Sequence, residues 1–157
     1  MKDILQKVTV LTPDGTVQTL SVEELELSYR HSIIPEKGYL VISAVLKLQP
    51  GNADEIQSIM DDLKEKRVSK QPLEYPSAGS TFKRPEGYFA GKLIQDAGLR
   101  GFRVGGAQVS EKHCGFIINR DQATSTDICQ LMQQVSEIVY EKFGVRLEPE
   151  VKKIGEF

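Results

Sequence analysis

Several features that would assign a protein to a function class are missing from this 157-residue sequence. The formal net charge is −2, which provides no basic excess for binding nucleic acid or an anionic membrane. No apolar run approaches the roughly 20 residues of a membrane-spanning helix. The N-terminal segment MKDILQKVTV also lacks the apolar centre of a signal peptide. These absences predict a soluble protein with neither nucleic acid nor a membrane as partner.

Residues that bind metals or form disulfides are scarce. Cys114 and Cys129 are the only cysteines, and His31 and His113 are the only histidines. Their spacing matches no zinc pattern, so we predict no metal site. Two reduced thiols are typical of a cytoplasmic protein, which is the predicted location.

The common nucleotide-binding and hydrolase motifs are also absent. Neither G-x-G-x-x-G nor G-x-x-x-x-G-K-[ST] occurs, and no Ser-His-Asp order is present. The stretch GLRGFRVGGAQVS, residues 98–110, is rich in glycine. Without either motif, its glycines indicate turns and close packing rather than a phosphate site.

The N-terminal part of the chain carries strand and turn signals. The β-branched runs Val8–Val10 and Thr16–Leu20, joined by Pro-Asp-Gly, predict a hairpin. Ser21–Glu24 has capping-box spacing and predicts a short helical turn. Tyr39–Leu48 reads as a strand. A helix over 53–66 follows, with Ile56, Ile59, Met60 and Leu63 on one apolar stripe.

Charge and proline content change after this helix. The mixed charges of residues 61–67 indicate a solvated face without functional weight. Residues 68–88 contain three prolines and two glycines, which predicts a long irregular segment. Within it, Ser80 taken alone is typical of a turn or helix N-cap.

The C-terminal part mixes helices and strands without a βαβ rhythm, which predicts the α+β class. A short helix over Phe89–Ala97 precedes a strand over Gly115–Asn119. The spacing of Thr124 and Asp127 predicts the start of the longest helix, which Gly144 ends. Val145–Leu147 and Val151–Ile154 read as short closing strands.

Four stretches together resemble one family. They are YRHSII (29–34), PSAGSTFKRP (76–85), AGKLIQDAGLRGFRVGGAQVSEKHCGFIIN (90–119) and EKFGVRLEPEVKKIGE (141–156). In order and spacing they are similar to the C-terminal half of UDP-N-acetylenolpyruvoylglucosamine reductases (MurB), in their shorter, Gram-positive-type branch. The resemblance implies that residues 1–70 are the end of a PCMH/VAO-like FAD-binding domain. Residues 71–157 would form the α+β substrate-binding domain.

The resemblance also implies a reaction. The family reduces UDP-GlcNAc-enolpyruvate to UDP-MurNAc for peptidoglycan synthesis, with FAD as cofactor and NADPH as co-substrate. Most flavin contacts lie in a region that precedes the resembling half. We therefore expect the chain alone to be inactive, and exposed apolar surface favours its self-association.

The resemblance assigns catalytic roles to three residues. Ser80 in AGSTF matches the proton donor of the family. Arg30 in YRHS matches an arginine beside the substrate carboxylate, a role that suits a guanidinium because it grips carboxylates bidentately. The resemblance also implies that Arg30 is a cofactor-binding residue. Glu150 in LEPEV, otherwise a solvated charge, matches a glutamate that polarises the carboxylate jointly with Arg30. We expect Glu150 to be protonated when it acts, because two facing carboxylates repel.

Three further residues are candidate substrate contacts. Lys70 in SKQP aligns with a substrate-contacting lysine, which would contact the UDP phosphates or the enolpyruvyl carboxylate. Arg84 stands where relatives commonly have asparagine, and it would pair with a phosphate. His113 falls where another branch uses glutamine, although an ordinary histidine before a buried strand explains it equally well. The tyrosine-bearing loop of other relatives is absent, so no uridine contact is identified.

Two other functions stay open from the residues. One is a nucleotide-sugar-binding α+β module without redox activity. The other is an unrelated binding or regulatory α+β protein. Flavin reoxidation by the enolpyruvyl substrate discriminates the reductase from both.

Overall fold

A computed structural model describes residues 2–155 of the chain. These residues contain two antiparallel sheets and four helices, which confirms the predicted α+β class. The chain divides into two units, Met1–Ile56 and Gln57–Phe157. Each unit has its own cluster of buried apolar side chains.

The first unit is built on a three-stranded sheet. Strands β1 (Leu5–Leu11) and β2 (Val17–Ser21) form the predicted hairpin, and β3 (Leu40–Leu46) pairs with the other side of β1. The hairpin turns at Gly15, whose φ of 84° is a conformation that glycine adopts without strain. One face of the hairpin is buried, because Val8 pairs with Leu20 there and Val10 points the same way.

A short connection leads from β2 toward β3. The Ser21 hydroxyl accepts from the Glu24 N–H at 3.3 Å, and the Glu24 carboxylate accepts from the Ser21 N–H at 2.8 Å. This reciprocal pair confirms the predicted capping box and turn. Helix α1 (Ile33–Glu36), which the sequence reading missed, follows and buries Ile33 in the sheet.

Helix α2 extends over Ala53–Lys70, four residues beyond its predicted end. The Asn52 side chain accepts from the N–H groups of Asp54 and Glu55 and so begins the helix. None of its residues is buried. The predicted apolar stripe is therefore present but exposed, with Leu63 at 59%.

The second unit places helices against a four-stranded sheet of order β4-β7-β6-β5. Its strands are β4 (Ser77–Ser80), β5 (Arg103–Val104), β6 (Ala107–Val109) and β7 (Phe116–Asn119). Helix α3 (Ala90–Asp96), helix α4 (Ser125–Phe143) and most of α2 also belong to this unit. The buried residues of α4 that face the core are Leu131, Met132, Val135 and Val139.

Local signals at both ends of α4 act as predicted. Thr124 and Asp127 form a capping box, and Gly144 adopts φ 68° at the C-terminal end.

Gly105 and Gly106 form the turn between β5 and β6. A Cβ at Gly105 would overlap the Asp127 carboxylate, and one at Gly106 would overlap the backbone at 121–123. This confirms that these glycines allow close packing.

Two parts of the secondary-structure prediction are wrong. Residues 145–147 and 151–154 form no strand, because Leu147 is buried and Val145 and Val151 pack against the core as single anchors. Between these two ranges the backbone makes an isolated bridge between Phe82 and Pro149, through the Glu150 N–H to the Thr81 carbonyl and the Lys83 N–H to the Glu148 carbonyl. The segment 68–88 is also less irregular than predicted, since it includes the end of α2 and all of β4.

Candidate active site around Ser80

Ser80 is the last residue of β4, so it is neither a loop residue nor a helix N-cap. It pairs with Phe116 of β7, and the register shifts between Ser77 and Ser80. Gly79 has a φ of 85° inside this shift, which changes the direction of the strand directly before the serine. The Ser80 side chain is exposed.

A cavity of about 500 Å³ opens beside Ser80. Its lining includes Arg67 from the last turn of α2, Gln71 and Tyr75 from the segment that follows the helix, and Phe116 from β7. This volume lies in the range of small-molecule sites. The cavity therefore combines a hydroxyl, a cation, an amide and two aromatic rings.

Glu150 lies next to Ser80 along the backbone hydrogen bonds. The Glu150 N–H donates to the carbonyl of Thr81 at 2.8 Å, and the Lys83 N–H donates to the Glu148 carbonyl at 2.8 Å. Thr81 is buried, and its hydroxyl accepts from the Ile117 N–H at 3.0 Å. The Glu150 backbone thus lies beside the residue that follows Ser80, although the two candidates are far apart in sequence. Glu150 is not among the residues that line the Ser80 cavity.

Arg30 belongs to the first unit and occupies a strained turn. The Ser28 N–H donates to the His31 carbonyl and the His31 N–H donates back, so residues 28–31 form a tight reversal. Arg30 has a φ of 54°, in the left-handed region that non-glycine residues rarely adopt. Its guanidinium carbon lies 5.9 Å from the centre of the Tyr29 ring.

Lys70 and Arg84 are placed differently from each other. Lys70 is the last residue of α2, directly before Gln71 of the cavity wall. The Arg84 guanidinium carbon lies 3.9 Å from the centre of the Phe89 ring, and its Nε donates to the Tyr88 carbonyl. Neither side chain lines the Ser80 cavity, and their roles with substrate stay predictions.

His113 makes contacts typical of a structural histidine. Its Nδ1 accepts from the Gly115 N–H at 3.0 Å, and its ring packs edge-on against Phe116 at 5.0 Å. A Cβ at Gly91 would lie 3.2 Å from His113 Cε1, so the ring fits closely against that glycine. These contacts support the wall that Phe116 contributes, and a substrate contact by His113 stays a prediction.

The sequence reading missed Arg67, Gln71 and Tyr75. The available signal was weak: Arg67 and Gln71 have i,i+4 spacing immediately before a proline-rich segment. The Tyr75 ring packs against Arg120, whose guanidinium carbon lies 4.5 Å from the ring centre.

The glycine-rich stretch does not fit a flavin pyrophosphate. The Asp127 carboxylate lies against Gly105, and its hydrogen bond from the Thr124 backbone N–H lowers the pKa of Asp127. A carboxylate that is held ionised there would repel phosphate. Arg30 is a better fit for an anionic or electron-rich cofactor edge, because it carries a fixed positive charge at an exposed turn.

The described residues also bear on metal sites, membrane-spanning helices and reactive cysteines. Across residues 2–155, no group of three or more His, Cys, Asp or Glu side chains could hold a metal ion. No helix in that range combines the length and hydropathy required to cross a membrane. Both cysteines are free, and burial raises the pKa of the Cys114 thiol, which lowers its reactivity.

Comparison with known proteins identifies relatives along the whole chain. A protein from Agathobacter rectalis named UDP-N-acetylenolpyruvoylglucosamine reductase is 64% identical over 157 residues, covering 100% of this chain and 50% of the relative. One of the same name from Clostridioides difficile is 56% identical over 156 residues, covering 99% of this chain and 51% of the relative. The chain spans about half the length of the curated relatives it matches.

A solved structure and a family model agree with these relatives. The crystal structure of UDP-N-acetylenolpyruvylglucosamine reductase (MurB) from Thermus caldophilus aligns with a TM-score of 0.78 at 36% identity. It covers 95% of this chain, which in turn covers 53% of that structure. Residues 71–154 match the model described as UDP-N-acetylenolpyruvoylglucosamine reductase, C-terminal domain. The resemblance found in the sequence is confirmed, and the chain belongs to the UDP-N-acetylenolpyruvoylglucosamine reductase family.

Proposed function

We propose that this chain contributes the substrate-binding part of a cytoplasmic flavin-dependent reductase that converts UDP-GlcNAc-enolpyruvate to UDP-MurNAc. NADPH is the reductant in this proposal, and the product serves peptidoglycan precursor synthesis. The observation that carries the proposal is Ser80 on the wall of a 500 Å³ cavity, with the Glu150 backbone bonded to the next residue. The names of relatives that match the whole chain support it.

Ser80 supplies the proton in this proposal. FAD, when bound, supplies the hydride that reaches the enolpyruvyl CH₂ carbon. The neighbouring carbon then needs a proton, which the Ser80 hydroxyl donates. A serine hydroxyl is a weak acid, so nearby positive charge must stabilise the alkoxide that remains.

Arg30 and Glu150 act on the substrate carboxylate in this proposal. Arg30 would hold the carboxylate and the adjoining cofactor edge, because its guanidinium keeps its charge and offers several donors. Its left-handed backbone supports this role, since strained residues cluster at functional sites. Glu150, in its protonated form, would hydrogen-bond the same carboxylate and so favour negative charge on it.

The domain assignment is part of the proposal. Residues 1–70 belong to the FAD-binding domain, and residues 71–157 form the substrate-binding domain. Lys70, Arg84 and His113 are assigned to substrate binding. In this proposal most flavin contacts belong to the half of the relatives' length that this chain does not match, so the 157-residue chain by itself should bind no flavin and show no turnover.

The test separates the two halves of the reaction by stopped-flow absorbance of the flavin in the full-length protein. Ser80→Ala should leave flavin reduction by NADPH unchanged and slow reoxidation by UDP-GlcNAc-enolpyruvate about 10²–10⁴-fold. Ser69→Ala is the matched control, because Ser69 is exposed on α2 and bonds only the Lys66 carbonyl. Reoxidation of the Ser80→Ala flavin at the unsubstituted rate would refute the proton-donor role. Substrate binding without any reoxidation would indicate a nucleotide-sugar-binding module instead.

A further inference from the structure

Arg67 lies where the sequence indicated only a solvated charged face. It occupies the last turn of α2 and lines the cavity that Ser80 lines. It is the only charged residue in that lining, as far as residues 2–155 define it. A cation in the lining of the cavity that contains the candidate proton donor can bind an anionic group of the ligand.

A neighbouring amide orients the Arg67 guanidinium. Its Nε donates to Oε1 of Gln71 at 3.3 Å, one helical turn further along, and Gln71 also lines the cavity. Within the described part of the chain this is the one hydrogen bond that the Arg67 guanidinium makes, so its two Nη groups remain available to bind a ligand. The Nη pair is the part of arginine that binds an oxyanion bidentately.

The other cations near this segment are engaged elsewhere. Lys112 Nζ donates to the Val68 carbonyl at 2.8 Å and lies 3.6 Å from the Glu74 carboxylate. Arg120 and Arg84 are stacked on aromatic rings. Lys70, at the end of α2, lies outside the lining, whereas Arg67 is in it.

The cavity wall offers further contacts to a ligand held by Arg67. Tyr75 and Phe116 contribute aromatic rings to the same lining. Arg67 itself is exposed to solvent, so it would act on a ligand through direct hydrogen bonds from its guanidinium.

We propose that Arg67 is a ligand-binding residue of the Ser80 cavity that holds a phosphate or carboxylate oxygen of the substrate. The inference rests on the proposed function, because the substrate named there carries both a diphosphate and an enolpyruvyl carboxylate. The two groups share oxyanion chemistry, and a nucleotide that lacks the carboxylate distinguishes them.

The test compares Arg67→Ala and Arg67→Lys with Lys66→Ala in the full-length protein. Lys66 is the matched control, because it is an exposed cation one residue away that pairs with Asp62 and lies outside the cavity. Calorimetry measures the dissociation constants of UDP and of UDP-GlcNAc-enolpyruvate, and steady-state kinetics measures KM and kcat. Circular dichroism and flavin reduction by NADPH check folding and cofactor binding.

Arg67→Ala should raise the KM for UDP-GlcNAc-enolpyruvate about 10- to 100-fold, with a smaller rise for Arg67→Lys and none for Lys66→Ala. A matching loss of UDP affinity assigns Arg67 to the diphosphate. Unchanged UDP affinity with weaker substrate binding assigns it to the carboxylate. Gln71→Glu should weaken binding of the same ligand, because a carboxylate beside Arg67 competes for the guanidinium.

Two results would overturn the inference. One is unsubstituted affinity for both ligands in Arg67→Ala. The other is loss of flavin binding or flavin reduction while UDP affinity is unchanged. Failure of the proposed function is a separate result, in which the unsubstituted protein does not turn over UDP-GlcNAc-enolpyruvate. In that case the dissociation constant of UDP, measured in the unsubstituted protein and in Arg67→Ala, still tests whether Arg67 binds the ligand.

Discussion

The two units of this chain differ in how well each buries its apolar residues. In the second unit, α4 covers the sheet and a cluster of fifteen buried apolar residues forms a core. In the first unit the cluster contains five, and every residue of the apolar strand β3 is exposed. The predicted stripe of α2, most of which belongs to the second unit, is exposed as well. An apolar pattern thus predicts the type of an element, whereas burial also requires a partner surface.

The exposed residues of the first unit have a further property in common. The order β2-β1-β3 makes β3 an edge strand of the sheet as described for residues 2–155. Ile42 is 52% exposed and Val45 is 45% exposed. An unpaired apolar edge is the feature that proteins usually protect against association.

The largest expected effect tests the core of the second unit. Leu131 is fully buried, so Leu131→Ala should lower the free energy of unfolding by about 2–5 kcal/mol through lost packing and a cavity. Leu63→Ala is the matched control on the exposed stripe and should change it by less than about 0.5 kcal/mol. Urea unfolding followed by circular dichroism measures both. Equal losses in the two variants would show that α2 is covered in solution, which would remove the difference between the core of the second unit and the exposed stripe.

Elements with strong local signals could be predicted from the sequence. The hairpin follows from the Pro-Asp-Gly turn between β-branched runs, and α4 follows from the Thr124–Asp127 cap and Gly144. The closing strands were predicted wrongly, because Val145 and Val151 serve as single anchors on a core that only the tertiary fold creates. The short strands on either side of Gly105 were missed for the same reason.

The candidate site shows a similar limit. Ser80 and Glu150 came from the family resemblance, and their backbone proximity depends on pairing between distant segments. Arg67 was missed because its neighbours on α2 are charged, a pattern that indicates solvent exposure. Its place beside Ser80 results from the path of residues 71–76, which no local periodicity encodes.

An intermediate effect tests the apolar surface of the first unit. We expect the 157-residue chain to self-associate through exposed apolar residues, and Ile42→Lys to weaken this association at least about tenfold, since burial of one isoleucine contributes more than that factor. Sedimentation velocity over a range of concentrations measures the association. Thr9→Lys is the control, because it adds the same charge to the same sheet at a polar position of β1. A chain that stays monomeric at every concentration would contradict the expectation.

The smallest expected effect concerns strain in the first unit. Arg30 pays a backbone cost of about 1–2 kcal/mol for its left-handed φ of 54°, and a glycine there would avoid it. Glycine also gives the unfolded chain more conformational entropy, which offsets about 0.5–1 kcal/mol of this gain. Arg30→Gly should therefore raise the free energy of unfolding by about 0.5–1 kcal/mol. Arg30→Lys, which keeps the charge and the strain, should leave it unchanged. Thermal unfolding of the chain measures both variants.

If glycine stabilises the fold while the full-length protein loses reoxidation of its flavin, the strain is retained for function. If Arg30→Gly destabilises the fold instead, the turn depends on contacts of the arginine side chain, and its conformation is no longer an argument for a functional role.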